Sequence, residues 1–213
     1  MVGGLVDNEK TVERIQLEED ACKSFQGKEG KMIYQQGGIY HIFNRGCDRR
    51  KIFMGDDNYR FFLRKVRLLK DKYGIDVIAY CLMPNHFHLL VKQNSDSPIS
   101  KWIQKVLSGY VQAFNKQNDR KGTLFESSTK PRLINKDEYL NNIIHYIHLN
   151  PVKASLVENP EEWQYSSYKY WISENESSFV SLKLRKEIFT SKQNYLNSFN
   201  EYFESKSWIN DEL

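Results

Sequence analysis

Two histidines separated by one hydrophobic residue, His86-Phe87-His88, carry the sharpest chemical signal in this chain. On a β-strand, side chains two apart leave the same face. Both imidazoles can therefore converge on one divalent cation, while Phe87 and Leu89 turn toward the opposite layer. Imidazole suits manganese and zinc well and magnesium less well. The same spacing also describes two polar residues on a half-exposed strand, so the pair alone leaves both readings open. Its setting is more informative. Met83-Pro84-Asn85 makes a tight turn directly before it, because proline fixes φ and asparagine favours turns, and a ligand pair needs a fixed backbone. A second group lies near residue 146. Leu140, Ile144 and Ile147 form a core-facing helical stripe, and Tyr139, Asn142, Tyr146 and Asn150 form its neighbour, since four residues turn about 40° beyond a full turn. Tyr146 and Asn150 can present a phenol and an amide oxygen to one point. Spacing by itself favours blander roles: a boundary ring with a wet hydroxyl for Tyr146, and a helix terminator for Asn150 before Pro151. Tyr110 is a rival tyrosine on another helix, but Phe114 stands at its i+4 position where a polar partner would be needed.

The elements that must position these groups follow from periodicity. Ile39–Asn44 predicts a strand ended by Gly46. Asp56 is the candidate cap of a helix carrying Phe61, Phe62, Val66, Leu68 and Leu69, which Gly74 ends. Ile75–Leu82 is apolar on both faces, as a central strand covered on each side would be. His86–Val91 follows the turn as the second arm of a hairpin. Ser95-Asp96-Ser97-Pro98 starts a helix bearing Ile99, Trp102, Ile103, Val106, Leu107, Tyr110 and Phe114. A short strand is expected at Gly122–Phe125, then a helix from Lys136 to Leu149 that stops at Pro151. This order of strands and helices predicts an α+β domain with helices against an antiparallel sheet. Residues 1–35 form a polar extension with partial helix near Val12–Phe25, and 36–171 form the core domain. Residues 172–213 form a helical tail, in which a Ser/Glu/Asn-rich linker, Ile172–Ser178, precedes two helical pieces near Leu182–Phe189 and Tyr195–Phe203.

Composition bounds the rest. The chain has 213 residues, 40% hydrophobic, enough for one well-buried core. A net charge of +4 suits an anionic partner without demanding one. Three scattered cysteines suggest neither a disulfide framework nor a zinc ribbon, and no run approaches the ~20 apolar residues of a membrane span. A cytoplasmic location without membrane contact is the expectation. Positive charge is clustered: Arg45, Arg49, Arg50 and Lys51 after the first strand, and Lys116, Arg120, Lys121, Lys130 and Arg132 around the Gly122 segment. Such clusters neutralise phosphates. Phe125 and Tyr40 are candidates to stack unpaired bases, whereas Phe61, Phe62, Trp102 and Phe114 read as core. His41, His145 and His148 are ambiguous by pattern; His145 or His148 could touch the metal site, but a surface role suits these two better.

Together the stretches Met83-Pro84-Asn85-His86-Phe87-His88-Leu89-Leu90-Val91 and Tyr146-Ile147-His148-Leu149-Asn150-Pro151-Val152-Lys153 resemble the single-tyrosine His-hydrophobic-His transposases, and more closely the REP-associated tyrosine transposases. Gly38–Gly46, Gly122–Glu126 and Trp163–Tyr168 extend the resemblance, in order, over roughly residues 37–171. It implies a ferredoxin-like fold with metal ligands His86 and His88, nucleophile Tyr146, and Asn150 as a third polar group at the metal. The implied cofactor is Mg2+ or Mn2+, and the implied substrate is single-stranded or hairpin DNA, cut and rejoined through a covalent phosphotyrosine. Arg45, Arg49, Arg50, Lys121, Lys130 and Arg132 would contact that DNA. Ser127-Ser128-Thr129 departs from the glycine-arginine-aromatic run the family often has there. Two other readings remain: a binding module that holds structured single-stranded DNA without cutting, and a phosphohydrolase using water, for which only Asp96 lies near the pair. Relatives act as monomers or as homodimers, so the sequence fixes neither.

Overall fold

Alternating β-branched and aromatic residues pair into one sheet, as half-buried strands must. Its strands are β1 (Ile39–Arg45), β2 (Ile75–Met83), β3 (His86–Gln93) and β4 (Arg132–Leu133), in the order β2-β3-β1-β4, with every neighbouring pair antiparallel. The computed structural model describes residues 34–129, 131–134, 137–173, 177 and 179–205. The helix expected near Val12–Phe25 lies outside them. Two helices, α1 (Asp56–Lys70) and α2 (Ile99–Gln117), interleave with the strands. Strand, helix and parallel strand, with β3 inserted between β1 and β2, give the ferredoxin-like topology the sequence led us to expect.

Each face of the sheet has its own apolar cover. Phe62 of α1 meets Phe87 of β3 at 5.2 Å between ring centroids and Tyr110 of α2 at the same separation. The Tyr110 hydroxyl donates to the Ile52 carbonyl, so this rival tyrosine is a core residue. Across the sheet, α3 (Asp137–Lys153) lays Ile143, Ile144 and Ile147 on Ile78, Ala79, Cys81, Met83 and Leu90.

Four local expectations need correction. β2 is an edge strand, not a central one. Both its faces are covered as the sequence suggested, and the later chain seals its free side. Leu82 N donates to Tyr165 O (3.0 Å), Ser167 N to Tyr80 O (2.9 Å), and Ser181 N to Val77 O (2.8 Å). The indoles of Trp163 and Trp171 donate to Leu82 O (3.0 Å) and Ile78 O (3.1 Å). An unpaired edge would otherwise invite association. The short strand falls at Arg132–Leu133, and Phe125 makes only an isolated bridge to Gly46. Gly55, not Asp56, holds the capping position of α1, with Asp56 in the first turn. Pro151 lies inside α3, which runs on to Lys153. Proline there forfeits one hydrogen bond and crowds the Ile147 carbonyl. The last turn survives on Ala154 N to Asn150 O (3.0 Å) and Leu156 N to Pro151 O (2.9 Å).

His145 and His148 are neither exposed nor near the His86 pair; both are buried. They fasten α3 to the C-terminal part of the chain. His148 Nδ1 lies 2.8 Å from Tyr195 Oη and Nε2 lies 2.7 Å from Ser167 Oγ, while His145 Nε2 lies 2.9 Å from Ser198 Oγ. Around them pack α4 (Tyr168–Ile172), α5 (Leu182–Ile188) and α6 (Lys192–Ser205), through Trp171, Phe189, Tyr195, Phe199 and Tyr202. None of the described helices is long and apolar enough to cross a membrane.

Burial lowers the His145 pKa from 6.5 to about 3. In the unfolded chain this histidine binds a proton near its ordinary value, so its contribution is full above about pH 6.5 and is lost as pH falls toward 3. A His145→Phe variant should therefore lose about 2 kcal/mol less stability than the wild type between about pH 6.5 and pH 5, each pKa unit being worth 1.36 kcal/mol. Urea unfolding at the two pH values checks this, and equal losses in both proteins would contradict it.

Candidate active site

Strand register brings the chemistry-bearing residues together. On β1 and β3, Phe43 stands opposite His88 and Arg45 opposite His86. Alternation then sets His41, Phe43, Arg45, His86 and His88 on one face, the face that carries α3. The Tyr146 ring on α3 meets the His88 ring edge-on at 5.5 Å between centroids and is 7% exposed, with Lys153 Nζ 5.7 Å from its centroid. One turn further along the helix, Asn150 Oδ1 lies 3.4 Å from His86 Nε2, and its Nδ2 donates to the Tyr146 carbonyl (2.9 Å). The two sequence constellations thus meet, with Tyr146 beside one imidazole and Asn150 beside the other.

The imidazoles are held in defined states. His88 is 3% exposed, and its Nδ1 lies 3.0 Å from His41 Nε2. Its other nitrogen, Nε2, is buried and has no hydrogen-bond partner among the described residues. Burial, then the neighbouring His41 and His86, holds the His88 pKa well below 6.5. Burial, then Arg132, lowers that of His41 to about 3. Burial also lowers that of His86, opposed by Asn150 and assisted by Arg45. All three rings are therefore neutral at pH 7, and a neutral ring has one N–H and one lone pair. If His88 gives its N–H to His41, Nε2 presents a lone pair. The other tautomer would bury an unpaired donor at a cost of about 1–3 kcal/mol. His86 has the same orientation, with Nδ1 2.7 Å from Asn85 Oδ1, a bond in which the ring must donate. Its Nε2 lone pair then faces the Asn150 oxygen, two acceptors with no proton between them.

Such a donor set fits a divalent cation: two neutral imidazole nitrogens and one amide oxygen, each with an orienting neighbour behind it. No cluster of three His, Cys, Asp or Glu residues suited to a metal exists among the described residues, so the set rests on two imidazoles and an amide. The turn that orients His86 is itself clamped. Gly46 N donates to Asn85 O (2.8 Å), and Ile52 N and Phe53 N donate to Pro84 O (2.8 and 3.1 Å). A Cβ on Gly46 would fall 2.2 Å from the Arg50 carbonyl oxygen, so glycine is required for this close approach.

The other candidates divide. Arg45 flanks the pair but is bound by Glu126 (Nη2–Oε2 2.9 Å). Arg132 also borders the site, its guanidinium 4.8 Å from the Phe43 centroid. Arg49, Arg50 and Lys121 are exposed, Arg50 pairing with Asp48 at 3.1 Å. Lys130 lies outside the described residues. The divergent segment before it is tied down, because Asn44 Nδ2 donates to Ser127 O (2.8 Å) and Thr129 Oγ1 (2.5 Å). Tyr40 is 1% exposed and cannot stack a base, while Phe125 keeps partial exposure against Phe87. Sequence reasoning missed His41, Phe43 and the side-chain role of Asn85. Only cross-strand register, which local patterns do not give, brings the first two to His88.

Because the imidazoles are already neutral, divalent-metal affinity should stay nearly constant between about pH 6 and pH 8. Calorimetric titration with Mn2+ checks this. A rise of ~10-fold through pH 6.5, as ordinary histidines would give, contradicts the assignment.

The description "Transposase IS200 like" is that of a protein family whose model matches residues 34–150. A Haemophilus influenzae protein described as a REP-associated tyrosine transposase is 28% identical over 145 residues, 63% of this chain and 82% of its own length. Among solved structures, the chain resembles a REP-associated tyrosine transposase bound to a REP hairpin. The TM-score is 0.59 at 16% identity, covering 68% of this chain and 84% of that one, a likeness of fold.

Proposed function

The chain belongs to the IS200-like transposase family, and on that premise we propose that it cleaves and rejoins single-stranded DNA with Tyr146 as nucleophile, beside Mg2+ or Mn2+ held by His86, His88 and Asn150. The observation that carries this reading is the buried, unengaged Nε2 of a neutral His88 lying against the Tyr146 ring. Held by His86, His88 and Asn150, a divalent cation would supply Lewis-acid polarisation of a phosphate oxygen and offset the charge that grows there during attack.

Tyr146 supplies the other half of the chemistry. Its phenol gives up its proton as its oxygen bonds to phosphorus, and the bond to the departing 3′ oxygen breaks with that oxygen taking a proton. The product is a phosphotyrosine and a free 3′ hydroxyl. Linking the phosphate to the protein conserves a transferable diester, so another 3′ hydroxyl can reverse the step at a new partner. Hydrolysis would discard that bond. His41 and Asn85 keep the two imidazoles turned, and α3, held by His145 and His148, keeps the phenol over His88.

Arg45 and Arg132 beside the site, with Arg49, Arg50, Lys121 and Lys130 on the adjoining segments, are proposed to hold the DNA backbone. Structured single-stranded DNA is the partner this reading favours, and the REP hairpin bound by the structural neighbour is consistent with it. Residues 36–171 are proposed as the catalytic core, with 1–35 and 172–213 as flanking extension and tail.

Labelled single-stranded DNA incubated with the protein and Mn2+ should yield cut product together with a protein-linked species resistant to denaturation. Tyr146→Phe should abolish both while DNA binding persists, and cutting that survives this change would refute the nucleophile. His88→Ala should lose metal-dependent cutting while its circular dichroism stays native. Loss through unfolding would make that histidine structural.

A further inference from the structure

Two basic stretches that lie far apart in sequence, Arg49-Arg50-Lys51 and Lys116 to Lys121, contribute to one cavity of about 350 Å3. Its lining is Arg50, Lys51, Met54, Phe114, Asn118 and Arg120. The cavity is built on fixed backbone. The loop after β1 is pinned to the C-terminal half of α2 by the Tyr110 hydroxyl on Ile52 O and by Asn58, which accepts from Met54 N (2.8 Å) and donates to Gln117 Oε1 (2.7 Å).

Its floor is apolar and its rim is cationic. Met54 is 63% exposed, one of four exposed large hydrophobic residues among those described. Behind it Phe114 is 3% exposed and backs the Arg120 guanidinium, which lies 5.7 Å from its ring centroid and turns its other face outward. Arg50 shares its charge with Asp48, whereas Lys51 and Arg120 make no ion pair among the described residues. Asn118 uses its amide nitrogen on the Phe114 carbonyl (2.8 Å), which leaves its oxygen able to accept from a base edge. An exposed thioether beside a guanidinium plane, with cations spaced around them, is the chemistry that takes an unpaired base and its two phosphates.

We propose that this cavity binds one unpaired nucleobase of the DNA substrate, stacked on Met54 and the outer face of the Arg120 guanidinium, with Lys51 and the edge of Arg120 on the flanking phosphates. The proposal rests on the single-stranded DNA reading above and adds a base-holding subsite that shares its loop with the metal-site turn. Asn85 Nδ2 donates to Arg49 O (3.3 Å) while Asn85 Oδ1 holds His86, so a strand seated in the cavity is indexed to the cation site.

The test is fluorescence anisotropy in EDTA with the full chain and two labelled probes: oligothymidylate, and a strand of equal length whose nucleotides are all abasic. Both carry the same phosphates. Wild type should prefer the thymidine strand, and Met54→Ser should cut that preference by about 5-fold or more, the lower end of stacking one base. Arg120→Ala should weaken both probes and lower the salt slope by about 1. A Met54→Ser protein that keeps the full wild-type preference, or that loses both probes equally, overturns the base pocket. If wild type binds neither probe and cuts no DNA, the single-stranded DNA reading itself fails. If wild type binds and cuts, the variant results bear on the cavity alone.

Discussion

The structure depends on one buried imidazole. His88 sits under α3 with one nitrogen occupied by a second buried imidazole and the other engaged by nothing described. A fold that left that atom unused would bear a cost of about 1–3 kcal/mol. Burial removes the option of charging the ring, so what remains is a directed lone pair. His86 repeats the arrangement with an amide behind it, and the Asn150 oxygen faces the second lone pair. Three neutral donors attract a cation only modestly by themselves, and a DNA phosphate would complete the charge. Metal and DNA would then each strengthen the other's binding, as reciprocity between linked sites requires.

Most of the remaining architecture serves that arrangement at a distance. The turn at Pro84 and Asn85 orients His86 and also receives the loop after β1, whose close packing requires Gly46. On the other side, α3 must lie at a fixed height over β2 for the Tyr146 ring to meet His88. It is fixed from behind by His145 and His148, which join it to α6 and to the segment sealing the β2 edge. The C-terminal helices carry no recognised chemical motif, yet they pack in the same apolar cluster as Tyr146.

How much of this could be read from the sequence depends on whether the determinant is local. The parity of His86 and His88, the hairpin at Pro84, and the shared flank of Tyr146 and Asn150 depend on residues within a few positions of each other, and the structure shows each of them. The α+β order followed from such local patterns, whereas the ferredoxin-like topology came from the family resemblance. What was missed depends on pairing. His41 reaches His88 only through the β1–β3 register, and Tyr40 turns inward because His41 turns toward the site. β2 looked central because its two faces are covered, but the covers are helices and its edge partner arrives much later in the chain. Pro151 ends a helix by local rules and here does not, because tertiary packing holds the last turn. His145 and His148 looked like surface residues because a polar ring gives no sign of a buried hydroxyl partner elsewhere in the chain.

Pulsed electron paramagnetic resonance of the protein loaded with Mn2+ reads the central claim directly, since nitrogen couplings count the imidazoles on the ion. The account predicts coupling to two imidazole nitrogens, reduced to one when His88 is replaced by alanine in a protein that remains folded. A spectrum showing only water and phosphate around the ion, or one unchanged by that substitution, would contradict it.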